Sequence, residues 1–163
     1  MEFVMMIVIA IVGLMLIHYI SEGFKADRRD AIKEETCTTE EIVVAGDYVM
    51  GHPKINIATN VWIAATETDF ILFEKKKRIG EIPKKAVKQI AVEDRSSLQQ
   101  RLTATRLVTL GVFALAAPKK KKIEEYFLVI SWVDEKRMEH NTTFRGGNAE
   151  GTNGRRNLLL NYL

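Results

Sequence analysis

Cysteine is almost absent: Cys37 is the single one in 163 residues. One thiol excludes a disulfide framework and any four-thiolate zinc site. No nucleophile motif surrounds it, and its distance from the apolar N-terminal run argues against palmitoylation. Proline is scarce too, at three residues, and histidine is limited to His18, His52 and His140. These histidines carry no HExxH, CxxC or spaced carboxylate set, so no metal and no cofactor is expected. Gly146 to Gly151 is glycine-rich but lacks the lysine and the strand–helix context of a nucleotide loop. No nucleophile, base and orienting group can be assembled, and the chain is therefore expected not to be an enzyme. The aromatic stacking motifs of nucleic-acid modules are missing as well, so no nucleic-acid partner is expected.

What the chain does have is a sharp division. Its 18.5 kDa fit one compact domain plus an appendage. A mean hydropathy of −0.06 and a net charge of +3 hide an apolar first twenty residues followed by a charged remainder. Phe3 to Ile20 (FVMMIVIAIVGLMLIHYI) contains no formal charge. As a helix it spans roughly 27 Å, close to the ~30 Å hydrocarbon core of a bilayer. His18 and Tyr19 fall at one end, where a headgroup interface suits an amphipathic ring. Glu2 without Lys or Arg before the run, and no small-x-small site after it, favour a retained anchor over a cleaved signal peptide.

Lys25, Arg28, Arg29 and Lys33 follow the run directly. Positive-inside bias places the N-terminus outside and everything after Ser21 in the cytoplasm of a single-pass cell-membrane protein. A reduced Cys37 suits that compartment. The sequon Asn141-Thr142-Thr143 then meets no glycosylation enzyme. Residues 1–21 are read as the anchor and 22–39 as a charged helical stalk with a solvated face.

From Glu40 the apolar runs become short and are broken by Gly, Pro, Asp or Lys clusters. Ile42 to Ala45, Val61 to Ala65, Phe70 to Phe73, Val87 to Val92 and Tyr126 to Val133 favour strands. Arg137 to Arg145 alternates cleanly, with Met138, His140, Thr142 and Phe144 on one face and charged or polar residues on the other. It reads as a half-buried antiparallel strand, with His140 a satisfied core histidine. Tyr126 to Val133 is apolar on both faces, as a strand covered on two sides would be. Leu102 to Ala117 is long enough to suggest a second membrane span. However, Arg106 costs about 2.5–3.5 kcal/mol at mid-bilayer, and a second crossing would put Lys119 to Lys122 outside. Two strands meeting near Gly111 are expected instead. At the end of the chain, Gly146 to Gly154 suggests a flexible loop. Thr152 or Asn153 then caps a short helix carrying Leu158, Leu159, Leu160, Tyr162 and Leu163, which must pack on the sheet.

Two stretches carry a family resemblance. TDFILFEKKKRIGEIPKKAVKQIAVED (Thr68 to Asp94) resembles a bacterial pattern of a hairpin, a strand ending in Ile-Pro and a further isoleucine-bearing strand. TATRLVTLGVFALAAPKKKK (Thr103 to Lys122) followed by YFLVISW is similar to a run in small membrane-anchored proteins of bacteria and phages. With about seven strands before one apolar helix, residues 40–163 resemble a pleckstrin-homology-like (GRAM-like) domain. The resemblance implies an α+β, mainly β fold: an antiparallel barrel with a short C-terminal helix, behind the transmembrane helix. It also implies a binding module for lipid or protein and nothing catalytic.

Basic clusters mark where such a module could bind. Lys75, Lys76, Lys77 and Arg78 occupy a predicted hairpin tip, Lys84 and Lys85 follow Pro83, and Lys119, Lys120, Lys121 and Lys122 form another turn. If the barrel brings two of these turns to one end, they form a cationic surface for anionic phospholipid or a membrane-associated protein. The alternative is a scaffold or assembly subunit of a membrane protein complex, in which turn lysines serve solubility and edge protection.

Overall fold

The structure is a computed structural model that describes residues 2–36, 42–104 and 124–163. The chain divides into two units, Met1–Cys37 and Thr38–Leu163.

The first unit is one helix, α1 (Glu2–Thr36), about 52 Å long at 1.5 Å per residue. Among the described side chains of its apolar part there is no buried stripe. Leu14, Met15, Leu16 and Ile17 point in successive directions around the axis, and all four are more than half exposed. A helix apolar on every side needs hydrocarbon or protein around it, and α1 is long and apolar enough to cross a membrane. The charged stretch continues the same helix. There Lys25 Nζ lies 2.7 Å from Glu22 Oε1 across one turn.

The second unit is α+β and mainly β, as expected. Seven strands, β1 (Ile42–Met50), β2 (Val61–Ala65), β3 (Asp69–Glu74), β4 (Lys77–Pro83), β5 (Val87–Asp94), β6 (Tyr126–Val133) and β7 (Glu139–Gly147), are joined by two helices, α2 (Arg95–Ala104) and α3 (Ala149–Asn161). They form one antiparallel ladder in the order β4-β3-β2-β1-β7-β6-β5. β1 is the joint. Its residues up to Gly46 pair with β2, and Asp47 to Met50 pair with β7. The change of partner occurs at Gly46, whose φ is +117°. A Cβ there would stand 1.9 Å from the carbonyl oxygen of Arg145 on β7. Only glycine allows both the backbone angle and that approach.

Because β1 bends, one face of the ladder wraps a single core. Ala45, Ile63, Phe70, Leu72, Ile82, Ile90, Ile130 and Phe144 bring all seven strands into it, and Leu159 of α3 completes it. On the opposite face, Met50, Leu98 of α2, Phe127 and Val129 form a second cluster. β6 is therefore covered on both sides, as its sequence indicates. The inward face of β7 is as read for Thr142 and Phe144, which are buried, but His140 is half-buried and Met138, before the strand, is exposed. Thr143 on the other face is also buried, beside its ladder partners Met50 and Val129.

Three expectations are corrected. The barrel is not closed by hydrogen bonds, because β4 and β5 are the two edges of an open ladder. The Lys84 N–H donates to the Thr68 carbonyl at 2.8 Å. A 3-10 turn (Lys84–Ala86) after Pro83 then carries the chain away instead of back along β4. Leu102 to Ala104 are helical, at the end of α2, not the start of a strand; the rest of the run to Ala117 lies outside the described residues, as do Cys37 and Lys119 to Lys122. The final helix begins earlier than expected, capped by Asn148, whose Oδ1 accepts from the Gly151 N–H at 2.9 Å. Gly146 and Gly147 belong to β7, and Gly151 and Gly154 are helical.

Two glycine substitutions test this account in opposite directions. Gly46→Ala should lower stability by more than about 2 kcal/mol, since strained φ and a backbone clash add. Gly154→Ala, in open space on α3, should raise it by about 0.5–1 kcal/mol. Urea unfolding followed by tryptophan fluorescence reads both; an unchanged midpoint for Gly46→Ala would refute the joint.

Candidate functional site

The basic residues singled out in the sequence fall at two places. Lys75 and Lys76 form the tip of the β3–β4 hairpin, and Lys77 and Arg78 open β4. Lys84 and Lys85 lie in the turn at the other end of β4, about 20 Å away by strand rise. These two clusters therefore do not merge into one cationic end. Arg78 is ion-paired with Glu81. Lys84 Nζ sits 5.4 Å from the Phe70 ring centroid and 5.9 Å from that of Tyr162, folded onto the sheet instead of projecting. Lys75, Lys76, Lys77 and Lys85 are exposed.

The hairpin tip has an apolar neighbour that the sequence did not single out. The β1–β2 connection returns beside it, with the Thr59 N–H donating to Glu74 Oε1 at 2.8 Å. Two residues earlier, Ile57 is 87% exposed. Lys75 itself has φ +58°, a left-handed conformation that costs an ordinary L-residue about 1–2 kcal/mol and glycine almost nothing.

A second arrangement occupies the gap at the end of the ladder. After Gly51 the β1–β2 connection crosses toward β4 and places His52 against Gly80. A Cβ on Gly80 would lie 2.7 Å from the His52 ring. His52 is 5% exposed and fully engaged. Its backbone N–H donates to Tyr48 Oη at 2.9 Å. Its Nδ1 accepts from the Lys54 N–H at 3.2 Å, and its Nε2 lies 3.2 Å from the Glu81 carbonyl oxygen on β4. These partners fix the neutral ring with its proton on Nε2. Burial holds its pKa below the ordinary histidine value, against the raising effect of the Glu81 carbonyl.

His52 also stacks on Trp132, with centroids 5.6 Å apart. On Trp132 lies His140, its ladder partner on β7, at 4.7 Å. Trp132 Nε1–H donates to Thr142 Oγ1 at 2.9 Å, and His140 Nε2 lies 3.0 Å from Asp134 Oδ2. His140 is thus hydrogen-bonded through one ring nitrogen, but it is half-buried and not the core histidine expected. Its hydrogen bond, followed by that from the Met138 N–H, holds the Asp134 carboxyl below the usual range. Lys54 and then Arg78 do the same for Glu81. With three of the four ring nitrogens engaged, the pair is poorly placed to ligate a metal. No group of three potential metal-binding side chains occurs among the described residues.

Beside this stack opens a cleft of about 570 Å³, lined from β4, the 3-10 turn, the β1–β2 connection and the β6–β7 turn. The Trp132–His140 contact was legible in principle from hairpin register. The His52 clasp spans 29 residues to Glu81 and has no sequence signal beyond Gly-His-Pro in a loop. Comparison with known proteins found no matching family model, no matching curated protein and no matching solved structure. The functional reading therefore rests on this geometry.

The His52 clasp makes stability depend on pH. Because the folded pKa is lowered, the unfolded chain binds the extra proton first. The contribution is complete above the ordinary value of 6.5 and is lost as pH falls through and below it. Unfolding midpoints should therefore drop between pH 7.5 and 5.5, and His52→Asn should remove much of that slope. His52→Asn, whose Oδ1 can still accept from the Lys54 N–H, should also cost about 1–3 kcal/mol at pH 7.5 through the lost hydrogen bond to the Glu81 carbonyl. An equal slope in the variant would show that another group titrates.

Proposed function

We propose that the protein is a single-pass, membrane-tethered, non-catalytic binding module whose β3–β4 tip contacts the anionic headgroups of the bilayer that holds α1. On this reading the N-terminus is outside and the pleckstrin-homology-like unit is cytoplasmic, beside the leaflet richer in anionic lipid. The observation that carries it is that the loop bearing exposed Ile57 is tied at Thr59 to Glu74, next to the exposed Lys75, Lys76 and Lys77. An exposed apolar side chain on the loop beside a run of lysines suits an interface where hydrocarbon lies beneath phosphate. Lys75 supports the same reading, since the chain keeps a long cationic side chain where glycine would be less strained.

The unit Thr38–Leu163 supplies its own sheet and core, so it can be tested apart from α1. It should co-sediment with anionic vesicles at low salt, not with neutral ones, and less at high salt. Each cation near an anionic surface contributes about 1 kcal/mol. Replacing Lys75, Lys76, Lys77 and Arg78 with Ser should therefore weaken binding by ten-fold or more. Lys75→Gly separates function from folding: it should stabilise the unit while weakening vesicle binding. Indifference to vesicle charge and salt would refute the lipid reading and favour a protein-contacting scaffold subunit.

A further inference from the structure

The cleft at the far end of β4 uses different residues from the tip, and its chemistry is different. Six charged side chains line it, and three of them are already committed. Glu81 is held by Lys54 and Arg78, and Asp134 by His140. Among the described residues, Lys85 and Lys136 have no ion-pair partner. Glu135 is the one lining carboxylate with neither an ion-pair nor a hydrogen-bond partner among the described residues. The lining side chains left without a partner are thus two lysines and one glutamate. The two lysines come from separate walls, Lys85 from the turn after β4 and Lys136 from the β6–β7 turn. The lining also includes apolar surface from Pro83, Val133 and Trp132. The volume of about 570 Å³ lies within the range of small-molecule sites. The cleft exists because the ladder is open between β4 and β5, and the His52 clasp keeps its wall in place. It is therefore preformed.

From this we infer that the cleft is a binding site for a small ligand that carries an anion on an apolar or aromatic body, the anion bridging Lys85 and Lys136 and the body lying against Pro83, Val133 and Trp132. A carboxylate and a phosphate share this chemistry. A bare inorganic anion would leave the apolar walls wet, and a neutral aromatic would leave both lysines unmatched, so each half alone should bind weakly.

Isothermal titration of the full chain in a non-ionic detergent tests the inference with phenyl phosphate and benzoate as probes, against inorganic phosphate and phenol as the two halves. At least one probe should bind ten-fold or more tighter than either half. Lys85→Ala and Lys136→Ala should each weaken it five-fold or more, and Lys75→Ser should leave it unchanged. A preference for phenyl phosphate assigns a phosphate ligand, and a preference for benzoate a carboxylate. Should neither probe bind, or should binding survive both lysine substitutions, the site is refuted. Circular dichroism confirms that the variants are folded, so loss of binding is not loss of structure. Because Lys85 and Lys136 are outside the tip, failure here leaves the vesicle result standing, and the reverse holds equally.

Discussion

β1 gives its first half to β2 and its second half to β7, and the exchange at Gly46 lets seven strands surround one core. A straight β1 would leave the halves of the sheet facing apart, each with a wet apolar side. Bending it brings Phe70 and Leu72 from one half against Ile130 and Phe144 from the other. The ladder need not close for this to work, and it does not. β4 and β5 remain edges, and the gap is spanned by side chains in place of a backbone ladder. His52 is the principal span, reaching from Tyr48 on β1 to the Glu81 carbonyl on β4 while stacked on Trp132 of β6. One buried ring thus ties together strands that do not pair, which a hydrogen-bonded closure would have made unnecessary. The cleft is the remaining part of the same gap.

The sequence made most of the strands legible, for a physical reason. Val61–Ala65 is apolar at every position, and Tyr126–Val133 at every position but Ser131, because both faces of β2 and most of β6 are buried. Glu139–Gly147 alternates because most of one face of β7 meets water. β4 was legible only as part of a family pattern, since KRIGEIP is an edge strand whose first residues are exposed and whose Gly80 has no side chain to show a face. α2 was missed because RSSLQQRLTA is polar and attaches through Leu98, too little apolar periodicity to mark a helix. The start of α3 was misplaced because Gly151 and Gly154 look like a loop. Asn148 overrides them by capping the first turn.

The candidate sites divide along the same line. The tip lysines are contiguous in sequence and needed no fold to be seen. That Lys84 and Lys85 lie at the opposite end of β4 follows only once the seven residues between are known to be a strand. Ile57 looks ordinary in sequence, and it becomes informative through its exposure beside Glu74 and the lysine tip. The clasp and the cleft depend on long-range placement and could not be read locally. Charge alone also misleads. Arg78 and Lys54 count as cations in any sequence tally, yet Glu81 holds both.

Tethering changes what the tip must achieve on the proposed reading. A free module held to a bilayer by three or four lysines would be marginal at physiological ionic strength, where the Debye length is about 8 Å. A module already fastened by α1 meets the surface as an intramolecular event, at an effective concentration of the order of millimolar for a short linker. Under that condition about 1 kcal/mol per lysine and one inserted Ile57 are enough to bias the unit toward the surface without locking it there. The same weakness keeps the contact sensitive to salt and to leaflet composition. It also leaves the cleft at the other end of β4 chemically independent, so a bound anion there and a headgroup at the tip need not compete for the same cations.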